Sequence, residues 1–354
     1  MIRPNAQPLI RPSVASLHPY VPGEQPHGEG WIKLNTNENW FVAPGVLHAV
    51  AAAATSDLRR YPDAACSDLR TRLEARYGVP SARTICGNGS DEILTLLIRA
   101  CAGEGDRIAY ADPSYSLYET LAQIQNAAPV PVPMGPQWEL PVDDLIAIDA
   151  PLTLVASPHA PSGTAFALAD LERLAAGVTG VVAFDEAYVD FGGVSALAFI
   201  DRYPNVVVVR TMSKAFGLAG VRLGYAFGSA EVVDALYRIK DSYNVDRLAQ
   251  VAGCAALDAW DEYAAVNRAT VTRRDAVADT LRNRFGWHVW PSAANFVLAT
   301  PENADAEVIA LRLKEERILV RHFARPRLGR SLRISIGSGP EMDRFLDVLG
   351  SIVG

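Results

Sequence analysis

From about residue 83 to 228 the chain alternates short, unbroken apolar runs with stretches of helical period. The runs "RTICG", "RIAYA", "LTLVAS", "GVVAFDEA", "NVVVVRT" and "LGYAFGS" are each bounded by turn residues. An unbroken apolar run of this length suits a strand buried on both faces. Between several of them lie amphipathic segments such as "SDEILTLLIRACA" and "LADLERLAAG". This alternation predicts an α/β fold with a mostly parallel central sheet flanked by helices.

After residue 230 the texture changes to long helical stretches, "AEVVDALYRIK" and "RLAQVAGCAALDAWDEYAAV". The chain then reads strand, helix, strand, strand, helix through "HVWPSAANFVLAT", "AEVIALRLKEERILV", "SLRISIGS" and "EMDRFLDVLGSIV". That order fits a smaller α+β domain packed with the N-terminal arm. With 354 residues, two domains are expected.

Composition narrows the function classes. A net charge of −7 argues against a nucleic-acid surface, which needs a basic stripe. The apolar stretches are far shorter than a membrane span, so no membrane partner is expected. The opening "MIRPNAQPLIRPSV" is broken by prolines and reads as an extended arm rather than a targeting segment. Cys66, Cys86, Cys101 and Cys254 lack the spacing of a zinc site or disulfide framework, so no metal is expected. A cytoplasmic protein is the expectation.

Four strand ends carry candidate chemistry. "CGNGSDEIL" joins a strand to a helix, with Gly87 and Gly89 around Asn88 and with Ser90 and Asp91 opening the helix. Exposed backbone N–H groups at a helix start suit an anion, and a capped tight turn is the plainer alternative. It is neither a P-loop nor a GxGxxG fingerprint. "VVAFDEAYVDF" places Asp185, Glu186 and Tyr188 where parallel sheets bind ligands, although a cap or salt bridge would look the same. "DPSYSLYE" supplies Tyr115 and Tyr118, and aromatics there more often pack than stack on a ligand. In "RTMSKAFGLAGVRLGY", Lys214 follows Ser213, and Arg222 comes eight residues later.

Taken together, these segments put a lysine, an acid, an aromatic ring and an anion cradle at one rim. Pyridoxal phosphate needs that set: an amine for its aldehyde, a carboxylate for its pyridinium nitrogen, a stacking face, and donors for its phosphate. Lys214 is the candidate amine and Arg222 the candidate phosphate ligand.

The sequence resembles the histidinol-phosphate aminotransferase family, within the aspartate-aminotransferase-like pyridoxal-phosphate enzymes. The resemblance runs nearly end to end, through "LHPYVPGE", "KLNTNEN", "RRYPD", "GNGSDE", "DPSYSLYE", "SPHAPSGT", "FDEAYVDF", the lysine segment, "PSAANFVL", "ILVRHF" and "LRISIG". It implies a large cofactor domain over residues 40–257, with residues 1–39 and 258–354 forming the small domain. It implies that Lys214 binds the cofactor aldehyde and shuttles the proton, that Asp185 pairs with the pyridine nitrogen, and that Tyr188 contacts the ring hydroxyl oxygen. Tyr115 would stack on the ring, and Gly89, Ser90, Asp91, Ser213 and Arg222 would meet the phosphate. Tyr61 would reach the phosphate in a neighbouring subunit, which implies a homodimer with shared active sites. Tyr20, Arg321 and Arg333 would hold an anionic substrate head, with Asn37 or Asn39 on the substrate side. The implied reaction is ping-pong transamination, from histidinol phosphate to 2-oxoglutarate, giving imidazole-acetol phosphate and glutamate in histidine biosynthesis.

Two departures from the family pattern stand out. His159 and Ala160 replace paired asparagines in "SPHAPSGT"; Ala160 donates nothing, which leaves Tyr188 alone on the ring oxygen or makes His159 the substitute donor. "NENW" replaces "NENP", so Trp40 and Phe41 are expected to reshape the substrate entrance. Competing expectations are an aromatic amino-acid aminotransferase and a threonine-phosphate decarboxylase-like enzyme. A non-catalytic pyridoxal-phosphate-binding regulatory module is a further one, but the proline-broken N-terminus offers it no DNA-binding helices.

Overall fold

The computed structural model describes residues 9–17, 22–56 and 58–353. Among these, twelve strands form two sheets. In chain order the strands are β1 (Ile32–Leu34), β2 (Thr84–Asn88), β3 (Arg107–Asp112), β4 (Ala128–Pro133), β5 (Leu152–Ala156) and β6 (Val181–Asp185). They continue with β7 (Val206–Thr211), β8 (Leu223–Phe227), β9 (His288–Val289), β10 (Phe296–Thr300), β11 (Ile318–His322) and β12 (Leu332–Ser335).

The larger sheet has seven strands in the order β2-β8-β7-β6-β5-β3-β4. β7, β6, β5, β3 and β4 pair in parallel, and β8 runs antiparallel to both of its neighbours. All six apolar runs read from the sequence are strands of this sheet. Alternate residues of one run enter different cores: Val206 and Val208 pack on one face, Val207 and Val209 on the other. Burial on both faces is why the runs are unbroken.

β4 escaped the sequence reading because "APVPVP" carries three prolines. It is the terminal strand beyond β3, where a missing N–H on the open side costs no ladder bond.

The second sheet has the order β1-β11-β12-β10-β9, and only its β1–β11 pair is parallel. β1 comes from the N-terminal segment, so the chain's two ends build one layer with its own apolar core around Leu34, Ile318, Ile334 and Phe345. The helical stretch after residue 247 breaks at Ala259 into Arg247–Asp258 and Trp260–Phe285. The 26-residue second helix starts with Tyr263 in the first core and ends with Val277 and Leu281 in the other.

The C-terminal ends of the parallel strands define one rim, where such sheets bind ligands. Because β8 is reversed, its beginning lies at that same rim, beside the ends of β2 and β7. Asn88 pairs with Leu223, and Thr211 with Gly224. Residues before β8 therefore join those that follow β2, β3, β6 and β7. No described helix is long and apolar enough to cross a membrane.

Candidate active site

The rim opens into a cavity of about 680 Å³. Ser90, Asp91, Tyr115, Asp185, Tyr188, Ser213, Lys214 and Arg222 line it from the large sheet. Asn37, Arg321 and Arg333 line it from the N-terminal segment and the small sheet. Residues scattered over some 300 positions thus meet in one space.

Lys214 lies just beyond β7, and its Nζ donates to the Thr36 carbonyl at 2.9 Å, 5.8 Å from the centre of the Tyr188 ring. Asn39 does not line the cavity. Its Nδ2 donates to the Lys214 carbonyl at 3.1 Å and to the Ala215 carbonyl at 3.3 Å, bracing the turn that presents the lysine. Of the two, Asn37 is the one that reaches the cavity. Its Nδ2 donates to the Tyr188 hydroxyl at 3.0 Å, leaving that hydroxyl's own hydrogen free to point elsewhere.

Asp185 ends β6 and is buried. One carboxylate oxygen accepts from the Tyr118 hydroxyl at 2.8 Å and the other from the Ala187 N–H at 3.2 Å. Burial pushes its pKa up to about 6, against the pull of those two donors, and the negative charges of Asp91 and Glu186 add to the rise. Glu186 turns the other way into a buried pair with Arg210, at 2.8 Å. That pair ties the end of β6 to the end of β7, fixing the strand ends that carry Asp185 and Lys214.

The anion cradle is built on close backbone approach. Gly89 has φ +78°, and a Cβ there would sit 2.6 Å from Arg222 Nη2. A Cβ on Gly224 would collide with the Ser90 amide nitrogen. Both glycines are therefore required for Arg222 and the start of the helix Ser90–Cys101 to converge. Arg222 pairs with Asp91 at 3.0 Å, and the Tyr115 hydroxyl donates to the same carboxylate at 3.2 Å.

On the small sheet, Arg321 and Arg333 are direct partners across β11 and β12. Arg321 lies over the Phe323 ring, while Arg333 lies over Phe296 and donates to the Asn35 carbonyl at 2.9 Å.

Two sequence expectations, those for His159 and for Trp40 with Phe41, require correction. His159 is buried outside the cavity lining, 2.8 Å from Ser162 Oγ and 2.9 Å from the Pro113 carbonyl. A carbonyl only accepts, so Nε2 holds the hydrogen and Nδ1 accepts from the serine. Burial lowers the pKa to about 3, against a smaller upward pull from the Pro113 carbonyl bond, so the ring stays neutral and has no hydrogen for a group in the cavity. Trp40 and Phe41 do not shape the cavity. The Trp40 indole donates to Thr270 at 3.0 Å, and Phe41 packs edge-on against Tyr263, both on the long helix. Tyr61 lies away from the cavity, 76% exposed and stacked on Tyr243 at 4.3 Å. Tyr20 lies outside the described residues.

Sequence reading missed the roles of Thr36 and Tyr118 and the presence of Arg325 and Glu119 in the cavity wall. A backbone carbonyl carries no sequence signal. Tyr118 did stand out as an aromatic near a strand end, but its hydroxyl partner depends on how the helix Leu117–Ile124 packs over the end of β6.

The residues present fit pyridoxal phosphate: the glycine-cleared cradle with Arg222 suits a phosphate, and the buried Asp185 suits a pyridinium nitrogen. Fold and site together define a pyridoxal-phosphate-dependent enzyme with the aspartate-aminotransferase-like architecture. The chain belongs to the family described as aminotransferase class I and II, whose profile matches residues 29–349. Its relatives include a histidinol-phosphate aminotransferase of Geotalea uraniireducens, 43% identical over 97% of this chain and 99% of that one. Histidinol-phosphate aminotransferase 1 of Trichormus variabilis is 42% identical over 93% of this chain and 94% of its own. Among solved structures, histidinol-phosphate aminotransferase from Sinorhizobium meliloti in complex with pyridoxal-5'-phosphate superposes with a TM-score of 0.89 at 28% identity, covering 98% of this chain and 99% of that one.

Proposed function

We propose that the protein transfers the amino group of histidinol phosphate to 2-oxoglutarate, giving imidazole-acetol phosphate and glutamate, as a step of histidine biosynthesis. The observation that carries this reading is the Arg321–Arg333 pair lining the same cavity as Lys214. Two guanidiniums side by side suit a dianionic phosphate, because each can grip two oxygens. A carboxylate brings one charge and leaves part of that capacity unused.

Bound in the cavity, pyridoxal phosphate supplies an aldehyde that takes up the amino group and a ring that draws electrons from the reacting carbon. The chain's own groups do the rest. Lys214, freed from the Thr36 carbonyl, would carry the proton between the substrate carbon and the cofactor. Asp185 keeps the ring nitrogen protonated. Tyr188, already accepting from Asn37, directs its hydrogen to the ring hydroxyl oxygen. Tyr115 stacks on the ring, and the Ser90 amide, Ser213 and Arg222 hold the phosphate. Asp91 in the wall pairs with Arg222, and Gly89 leaves the space that its guanidinium occupies.

We take residues 40–257 as the cofactor domain, and residues 1–39 with 258–354 as the small domain, joined by the helix that spans both cores. We also read the protein as a cytoplasmic homodimer, in which exposed Tyr61 reaches the phosphate in the partner's site. Sedimentation at micromolar concentration tests the dimer. Mixing Lys214→Ala with Tyr61→Phe protomers tests the sharing, since only a shared site restores activity beyond that of either parent.

The substrate is tested by glutamate formation from 2-oxoglutarate with histidinol phosphate, phenylalanine or histidine. Histidinol phosphate is expected to give a kcat/KM at least about tenfold higher than the others. A faster reaction with phenylalanine would replace this reading with the aromatic one. Carbon dioxide released from threonine phosphate would replace it with the decarboxylase.

A further inference from the structure

We infer that Tyr118 is a positioning residue for Asp185, holding its carboxylate in one orientation through a charge-assisted hydrogen bond from beneath the sheet rim. Tyr118 sits in the first turn of the helix Leu117–Ile124 and is fully buried. Its hydroxyl lies 2.8 Å from Asp185 Oδ2. Among the described residues it is the only side chain that donates to Asp185, since the remaining bond comes from the Ala187 backbone.

The tyrosine cannot swing away. Its ring is held edge-on by Tyr115, 5.6 Å away at 83°, and by Tyr110, 6.2 Å away at 66°. If packing were its only task, phenylalanine would fill the same space without burying a hydroxyl that needs a partner. The partner it has is the one carboxylate assigned to the cofactor ring.

The charges around this bond all favour a tyrosine that donates. Burial, and then the Asp185 carboxylate, push the Tyr118 phenol well above its ordinary range, so it keeps its hydrogen. Asp185 feels the negative charges of Asp91 and Glu186, and Tyr115 and Tyr188 stand close to Tyr118. Lys214, Arg222, Arg321, Arg325 and Arg333 are the cations lining the same cavity. Burial, Asp91 and Glu186 favour the protonated acid, whereas Tyr118 and the Ala187 amide favour the carboxylate. Removing Tyr118's hydrogen bond therefore shifts Asp185 toward the neutral acid, which cannot serve a pyridinium, and loosens its orientation.

The inference rests on the reading of Asp185 as the ring partner. Pyridoxal phosphate affinity is measured from pH 5 to 9 for the wild type, Tyr118→Phe, Tyr110→Phe and Asp185→Asn, together with kcat and KM for histidinol phosphate. Protonation of the cofactor itself is common to all four, so differences between them report on the protein. In Tyr118→Phe the acid limb of cofactor affinity is expected to move up by about one pH unit. Its kcat should fall about tenfold, with KM within about twofold. Tyr110→Phe, which keeps the packing and the Asp185 bond, should match the wild type. A Tyr118→Phe protein with lower melting temperature but unmoved acid limb and kcat would make Tyr118 purely structural and overturn the inference. If Asp185→Asn binds cofactor with the wild-type affinity and pH profile, the Asp185 assignment fails, and the Tyr118 inference with it.

Discussion

Arg321 and Arg333 stand Cα to Cα across the antiparallel β11–β12 ladder. Like charges directly opposite each other destabilise a sheet, by a fraction of a kcal/mol to about 1 kcal/mol. Placing them at a cavity wall makes an anion their complement. Arg321→Met is therefore expected to cut the preference for histidinol phosphate over phenylalanine by roughly ten- to a hundredfold, the worth of one charge-assisted hydrogen bond. Steady-state kinetics with both substrates checks this. Arg333→Met should also lower the melting temperature, because Arg333 ties β12 to the Asn35 carbonyl.

Lys214 is expected to be indispensable. In Lys214→Ala, turnover falls below detection while pyridoxal phosphate still binds reversibly. Mass spectrometry after borohydride reduction should find the cofactor on the peptide containing Lys214 in the wild type and on no peptide of the variant. Retained turnover would remove Lys214 from the mechanism.

Asp185 should trade stability for function. Its pKa in the folded protein is raised to about 6 from an ordinary 3.8, so the folded state holds a proton that the unfolded chain has already released. Between these values stability falls as pH rises, and the cost is complete above about 6. Asp185→Asn is then expected to stabilise the cofactor-free protein at pH 8 by at most about 3 kcal/mol, shrinking as pH falls toward about 4. Urea denaturation at pH 8 and pH 5 measures the difference. The same variant should lose orders of magnitude in kcat, and a loss below about tenfold, roughly 1.4 kcal/mol, would mean Asp185 is not the ring partner.

Gly89→Ala should weaken the phosphate cradle specifically. At φ +78° and ψ 164°, a conformation left almost wholly to glycine, an alanine costs about 1–3 kcal/mol, and the new Cβ displaces the Arg222 guanidinium. Affinity for pyridoxal phosphate is expected to drop about tenfold or more, while affinity for pyridoxal, which lacks the phosphate, changes little. Equal losses for both ligands would mean the cradle holds something other than the phosphate.

The sequence by itself determined the strands that are buried on both faces, because a run such as "NVVVVRT" has no polar face to offer water. It also marked the segments holding Lys214, Asp185, Ser90, Tyr115 and Arg222, since each lies beside such a run and strand ends are where a parallel sheet exposes side chains. It could not place β4, whose prolines are tolerated only at an edge, and edge position belongs to the assembled sheet. It could not assign His159 or Trp40, because a polar tip takes whichever partner folding brings nearest. For His159 those partners are Ser162 and the Pro113 carbonyl, and for Trp40 the partner is Thr270 on the long helix. Tyr118 and Asp185 are 67 positions apart and share a hydrogen bond only because the helix after β3 packs over the end of β6. The reversal of β8, which returns Arg222 to the rim, and the pairing of Arg321 with Arg333 are likewise matters of strand register. Periodicity specifies which face of a strand is buried, whereas the neighbour across the ladder is selected by the whole packed core.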